Sequence, residues 1–205
     1  MTEKNTKARR HIQRAGSVFD VNYDDKTYRN IKKILECHRE CIFGPDFFDF
    51  SLAGKVPMKD MIPYLYRSFI SKEEISEITV NKMVMQILND EKTADILYDT
   101  LEQIKSFSAE EKKKSSTGSA EGTLYYKILK RLYFTEAYPV ETDIYIDLNI
   151  SPNQYSYRKE EATMLFGIYF WSRCLSFWDT RKEDIGRIQL EEGRDDLRLK
   201  GFEAV

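Results

Sequence analysis

The chain has 205 residues, and 41% of them are hydrophobic, which is enough to bury a core and excludes disorder of the whole chain. Its 32 lysines and arginines nearly balance 34 aspartates and glutamates, so no whole-chain field draws it to nucleic acid or to an anionic membrane. Three cysteines favour free thiols and no apolar run reaches the roughly 18 residues of a membrane span, so we expect a cytoplasmic protein without a membrane partner.

The two ends of the chain are predicted to lie outside the packed core. Residues 1–20 hold a single acidic side chain ahead of Asp20 and too few apolar residues for a signal peptide, and we interpret them as a basic, flexible arm. Residues 183–205 are interpreted as a charged C-terminal tail. The basic side chains of the arm are Lys4, Lys7, Arg9, Arg10 and Arg14.

Residues 21–107 are predicted to form a helical N-terminal domain. Apolar residues at helical spacing predict a helix over residues 25–43 that ends at the Gly44-Pro45 pair. Similar spacing predicts three further helices, which begin at Met58, at a capping box formed by Ser71 and Glu74, and at Ala94.

Residues 108–122 are predicted to be an exposed, protease-sensitive linker. They lack large apolar side chains and are rich in serine, glycine and charge. We therefore place a domain boundary here and assign residues 123–182 to a second domain, which opens with an amphipathic helix from Leu124 to Tyr133.

The second domain contains a pattern typical of a helix-turn-helix. Ser151 and Gln154 have capping-box spacing, and Pro152 occupies the favoured first position of a helix that can run to about Trp171. If residues 140–148 are also helical, a short turn at Asn149-Ile150 joins two helices. The fold class predicted is mainly α, with an N-terminal helical bundle and a C-terminal helix-turn-helix-like unit.

A strand is the competing interpretation of the residues before the capping box. Ile144, Ile146, Leu148 and Ile150 alternate with polar residues, and a period of two is typical of a half-buried strand. We favour the helix, because a capped helix follows after only a short turn.

The helix that begins at Pro152 is the predicted DNA-contacting element. In a helix-turn-helix, polar residues in the first turns of the second helix reach base edges in the major groove, and asparagine and glutamine amides can pair bidentately with adenine. The predicted DNA-binding residues are Asn153, Gln154, Ser156, Tyr157 and Lys159.

The same segment resembles the ArpU and RinA class of phage and mobile-element transcriptional regulators, whose C-terminal helix-turn-helix is similar to sigma factor region four. The residues that carry the resemblance are Ile144, Leu148, Ile150, Ser151, Tyr155, Tyr157, Arg158, Lys159 and Ala162. The resemblance implies double-stranded DNA as the partner and an N-terminal domain for homodimerisation or for contact with RNA polymerase or another protein. Tyr145 stands where the family usually has a small residue, and Glu160 and Glu161 occupy positions that are often basic.

A second function stays open at this point. Residues 123–182 hold eight lysines and arginines against seven aspartates and glutamates, a weak footprint for phosphate contacts. The alternative is a helical protein-interaction module, such as a phage-encoded inhibitor or adaptor that occludes a protein partner.

No enzyme, metal or cofactor is predicted. The nine glycines include no phosphate-cradling loop, and two histidines supply little base-activated catalysis. Cys37 and Cys41 flank His38 at helical spacing, and these residue types could supply half of a zinc site. Because both cysteines continue the apolar face of their helix, we interpret them as buried structural thiols.

Overall fold

A computed structural model describes residues 6–44, 76–89, 94–108 and 120–177, and these residues form helices joined by turns, without strands. The predicted mainly α fold class is therefore confirmed. The helices are α1 (Lys7–Val18), α2 (Asp25–Phe43), α3 (Glu77–Asn89), α4 (Ile96–Ile104), α5 (Ala120–Tyr133), α6 (Glu141–Asp147) and α7 (Pro152–Phe177).

Helix α2 has the bounds that the sequence predicts. The Asp24 carboxylate accepts a hydrogen bond from the Thr27 amide at 2.8 Å and caps its first turn. At the other end, the Gly44 amide donates to the Glu40 carbonyl at 2.9 Å. The predicted helix starts at Met58 and Ser71 lie outside the described residues.

Helix α7 is the centre of the bundle. It packs against α1, α2, α4, α5 and α6, and every residue from 160 to 168 is buried. Trp171, Phe166 and Phe170 are among its fully buried side chains. Although α7 has 26 residues, neither it nor another helix in the described ranges has a stretch long and apolar enough to cross a bilayer.

The N-terminal arm needs a correction, because residues 7–18 form α1. Ala8, Ile12 and Gly16 recur every four residues and give this charged helix a narrow buried seam. An added Cβ on Gly16 would lie 3.3 Å from Ile168 Cδ1, so the small residue permits close approach to α7. The count of charged residues in this segment does not reveal the buried seam.

The segment predicted as a linker begins to be helical at Ala120, and residues 109–119 lie outside the described ranges. Gly122 is buried, and an added Cβ would lie 2.5 Å from the Ile104 carbonyl oxygen and 2.7 Å from that of Phe107. Buried side chains from both sides of the segment form one hydrophobic cluster. The described helices therefore do not separate into two cores at residues 108–122.

Candidate nucleic-acid interface

Helix α6 settles the choice between helix and strand before the capping box. The Leu148 amide donates to the Ile144 carbonyl at 3.0 Å, a helical bond, so the helical interpretation is confirmed. Ile144 is 3% exposed and anchors α6 to the core, whereas Ile146 is 62% exposed. The alternation in the sequence thus places one isoleucine inward and the next in solvent, on a single short helix.

A tight turn joins α6 to α7. Asn149 has a φ of 52°, in the left-handed region that asparagine tolerates better than most residues. The Ile150 amide donates to the Tyr145 carbonyl at 3.0 Å, and the Asn149 amide donates to the Ile146 carbonyl at 2.9 Å. This pair of bonds is a Schellman motif, which satisfies the last carbonyls of α6 and directs the chain into α7.

The predicted capping box is present at the start of α7. The Gln154 amide donates to Ser151 Oγ at 3.2 Å, and the Ser151 amide donates to Gln154 Oε1 at 3.0 Å. Pro152 occupies the first helical position, where its missing amide hydrogen costs no hydrogen bond. The helix-turn-helix-like unit is therefore α6, the turn at residues 148–151 and the first turns of α7.

The five predicted DNA-binding residues fall into two groups. Asn153, Gln154 and Ser156 are exposed in the first two turns of α7. Tyr157 and Lys159 are half-buried. Because the Gln154 carbonyl is used in the cap, Asn153 presents the more available amide.

Lys159 is held inside the unit. Its Nζ lies 2.8 Å and 3.0 Å from the two carboxylate oxygens of Glu141, and 5.4 Å from the ring centre of Tyr155. The ion pair ties α7 to the first turn of α6. Lys159 therefore fixes the crossing of the two helices, and its charge is largely met within the protein.

Other cations around the turn are also paired. Arg131 Nη1 lies 2.7 Å from Asp147 Oδ2, which links α5 to the last turn of α6. Residues 120–177 hold six lysines and arginines against seven aspartates and glutamates. The stretch from α5 to α7 consequently offers no excess of positive charge to a phosphate backbone.

Two adjacent carboxylates of α7 point into the bundle, a feature that the sequence analysis missed. Glu161 is 3% exposed and accepts hydrogen bonds from Tyr125 Oη at 2.8 Å, from Arg158 Nη1 at 2.9 Å and from the Thr6 hydroxyl. A buried carboxylate needs such donors because desolvation would otherwise disfavour its charge. Glu161 thereby joins α5 and the N-terminal end of α1 to α7.

Glu160 binds a second set of partners. Tyr23 Oη donates to it at 3.3 Å, and Arg9 Nη1 lies 3.6 Å away. Burial raises the pKa of Glu160, and the positive charge of Arg9 opposes that rise. Glu160 and Glu161 thus hold α1 beside α7.

His38, Cys37 and Cys41 lie in α2. In the described ranges, no group of three or more histidine, cysteine, aspartate or glutamate side chains is placed to hold a metal ion. His38 is fully buried against the rings of Tyr98 and Phe134. Neither ring nitrogen makes a hydrogen bond of ordinary geometry, and burial lowers its pKa to about 4, against a small opposing effect of the Tyr133 backbone.

The chain matches no protein-family model, and comparisons with curated proteins and with solved structures gave no match.

Proposed function

We propose that the protein is a DNA-binding transcriptional regulator of phage or mobile-element type, which contacts the major groove through the start of α7. The observation that carries this proposal is the exposed polar end of a capped helix that follows a tight turn. Asn153, Gln154 and Ser156 project from the first two turns, where a recognition helix presents its base contacts. The resemblance to ArpU and RinA regulators supports the same reading.

Asn153 is the residue best suited to read a base. It is exposed, and its amide can accept and donate at the same time, which matches the N7 and N6 groups of adenine in the major groove. Gln154 could supply a second amide only if its carbonyl left the Ser151 cap. Ser156 adds a short hydroxyl that accepts or donates to any base.

The phosphate contacts in this proposal come from α1. The contacts of Thr6 with Glu161 and of Arg9 with Glu160 place the beginning of α1 beside α7. Glu161 lies eight residues beyond Asn153, or roughly 12 Å along α7. Lys7 and Arg10 are exposed at the same end of α1 and supply the positive charge that the helix-turn-helix-like unit lacks.

The test is binding to random duplex DNA, which is measured by fluorescence anisotropy between about 50 and 200 mM salt. We expect measurable binding at low salt that weakens steeply as salt rises. Lys7→Gln with Arg10→Gln should reduce the slope of log affinity against log salt by about one for each phosphate contact removed. Lys127→Gln, an exposed charge change on α5, is the matched control and should bind as the unmodified protein does.

Selection of DNA sequences from a randomised library distinguishes contacts to bases from contacts to phosphates. Asn153→Ala should retain binding to random duplexes and lose preference at one or two positions in a selection from a randomised library, a discrimination of about 1–3 kcal/mol per base contact. If the unmodified protein shows no retention on DNA even at about 50 mM salt, the DNA-binding proposal fails.

One observation favours the alternative function, a protein-interaction module. Tyr138, Val140 and Ile146 are exposed by 90%, 56% and 62%, and they lie within nine consecutive residues that lead into and through α6. Next to them is a groove of about 510 Å³ between α2 and the end of α5, whose lining includes more carboxylates than cations. The carboxylates are Glu36, Glu40, Glu136 and Glu141, and the cations are Lys32 and Arg39. Apolar side chains beside carboxylates suit a protein partner better than a phosphate backbone.

The DNA titration also decides between the two candidates. The alternative predicts no retention on DNA at low salt. It further predicts that replacing Tyr138 and Ile146 with serine leaves the fold unchanged, since neither side chain belongs to the core. Salt-dependent DNA binding by the unmodified protein would contradict the alternative.

A further inference from the structure

The groove between α2 and the end of α5 has a lining of mixed chemistry. Each side contributes carboxylates, because Glu36 and Glu40 belong to α2, whereas Glu136 and Glu141 belong to the chain that runs from the end of α5 into α6. The apolar and aromatic part of the lining consists of Phe43, Leu132, Tyr133, Tyr138 and Pro139. A volume of about 510 Å³ lies in the range of sites that hold small organic molecules.

The negative charge of the groove is only partly neutralised by the protein. Glu36 and Glu141 have ion-pair partners on α2 and α7. Glu40 and Glu136 form no ion pair with any residue in the described ranges. One carboxylate on each side of the groove is therefore left to bind a positively charged ligand.

Arg39 lines the groove but does not neutralise these carboxylates. Its Nη2 donates to the Ala137 carbonyl at 3.0 Å, and its Nη1 donates to the Leu132 carbonyl at 3.4 Å. The guanidinium carbon lies 4.4 Å from the ring centre of Tyr138. The charge of Arg39 is thus directed to the chain that follows α5.

The carboxylates are distributed along the groove and do not converge on one point. Among the described residues, no three carboxylate, imidazole or thiol side chains are placed to hold a metal ion. A ligand with separated positive charges suits this arrangement better than a single metal ion does. The methylene groups between such charges would contact the apolar part of the lining.

Buried tyrosine hydroxyls lie beside the carboxylates. Tyr133 lines the groove, is 5% exposed, and its hydroxyl forms no hydrogen bond within the described residues. The hydroxyl of Tyr155, which is 3% exposed, also lacks a partner. Burial raises the pKa of Tyr133, and the rise is increased by the neighbouring groups of Tyr28, Glu36, Tyr155 and Glu141. A polar group buried without a partner is destabilising, and a ligand N–H that reached the Tyr133 oxygen would remove that cost.

We propose that this groove binds an aliphatic diamine or polyamine, whose ammonium groups pair with Glu40 and Glu136 and donate to the Tyr133 hydroxyl. The methylene chain of the ligand packs against Phe43 and Leu132. The inference goes beyond both candidate functions, since neither assigns a small-molecule ligand to the groove, and its test contains no DNA.

Isothermal titration calorimetry of the full chain with spermidine tests the proposal, at about 150 mM salt so that distant charges are screened. We expect saturable binding of one spermidine, weaker binding of putrescine, and still weaker binding of butylamine, which carries a single charge. Absence of saturable spermidine binding would overturn the proposal. Binding of Mg²⁺ at the same site with equal affinity would also overturn it, because a metal ion has no methylene groups.

The uncompensated carboxylates are tested with a pair of double variants. Glu40→Gln with Glu136→Gln should weaken spermidine binding by about tenfold, as expected for the loss of two exposed ion pairs. Asp99→Asn with Glu102→Gln is the matched control, because it makes the same change in net charge on exposed carboxylates of α4 outside the groove. Equal losses in the two double variants would mean that spermidine responds to net charge alone, which contradicts a specific site.

The buried hydroxyl is tested by Tyr133→Phe, which keeps the ring. We expect spermidine affinity to fall by about tenfold or more, as for the loss of a hydrogen bond to a charged group, while the melting temperature does not decrease. Unchanged affinity in this variant would exclude the hydroxyl from the site.

A test without substitutions uses hydrogen exchange of the unmodified protein. Spermidine should slow exchange in residues 36–44 and 132–141, and protection confined to other segments would contradict the proposal. A capped peptide of sequence Lys-Leu-Lys, titrated in parallel, distinguishes a protein segment from a free amine. Binding of that peptide more than tenfold tighter than spermidine would overturn the proposal in favour of a lysine-bearing protein partner.

Discussion

Tyr125 donates its phenolic hydrogen to Glu161 at 2.8 Å, across the interface between α5 and α7. Arg158 Nη1 lies 3.0 Å from the same phenolic oxygen and 2.9 Å from Glu161 Oε2, so the three side chains form a closed triangle. The triangle satisfies a carboxylate that has almost no access to water, and it connects two helices through residues that are 36 positions apart in the sequence.

Removing the charge of Glu161 should destabilise the bundle. We expect Glu161→Gln to lower the free energy of unfolding by about 2–3 kcal/mol, because it leaves Arg158 without its closest carboxylate; the partial exposure of Arg158 keeps the cost below that of a fully buried pair. Urea denaturation measures the change. Glu136→Gln, on an exposed side chain, is the control and should stay within about 0.5 kcal/mol.

Replacing Gly122 with alanine should change stability in the direction opposite to that seen for most helical glycines. In most helices Gly→Ala stabilises by about 0.5–1 kcal/mol. Here the new methyl group would meet the carbonyl oxygens of Ile104 and Phe107, so we expect Gly122→Ala to destabilise by about 3 kcal/mol. The melting temperature of the variant, compared with that of the exposed Ala120→Ser, measures this. An increase in stability would mean that residue 122 lies free of the end of α4.

The capping box and the DNA-facing residues should have separable effects. Ser151→Ala removes the acceptor for the Gln154 amide and should cost about 1 kcal/mol. Asn153→Ala, in the first turn of the same helix, should change stability by about 0.5 kcal/mol or less because its side chain is exposed. Thermal denaturation of the two variants in parallel makes the comparison. Equal losses would show that Asn153 is part of the packed structure.

His38 should make stability depend on pH. Its pKa in the folded protein is about 4, below the ordinary value of 6.5, so its contribution is fully present above pH 6.5 and is lost as pH falls through about 4. His38→Phe should reduce the loss of stability between pH 7 and pH 4 by about 3 kcal/mol. His11→Gln, on α1, should retain the full pH dependence, and an unchanged profile in His38→Phe would contradict the assignment.

The sequence predicts local structure better than it predicts which helices pack against each other. The bounds of α2 and the start of α7 could be predicted because helix caps and apolar spacing are encoded within a few residues, as in the Ser151 and Gln154 pair. The position of α7 at the centre could not, because it depends on which helices cover its remaining faces. The run from residue 160 to 168 shows this, since polar Thr163 is as buried as Leu165.

In the candidate site, too, features that depend on neighbouring residues could be predicted, and contacts between helices could not. Exposure of Asn153 and Ser156 follows from their place in the first two turns of a capped helix and was predicted. The pairing of Lys159 with Glu141 depends on the crossing of two helices, and a charge count treats such a lysine as available. Glu160 and Glu161 were missed for the same reason, because their partners Tyr23 and Tyr125 are distant in the sequence and carry no pattern that links them.

The central position of α7 has a thermodynamic consequence. The residues that are exposed at its start and those buried in its middle belong to one continuous helix, so the first turns keep their shape only while the bundle is folded. A molecule that binds Asn153 and Ser156 would bind the native state alone. By mass action, a ligand present at a hundredfold excess over its dissociation constant would then stabilise the whole bundle by about 2.7 kcal/mol. Occupancy of the surface could be read from hydrogen exchange in the middle of α7, at amides that the ligand never touches.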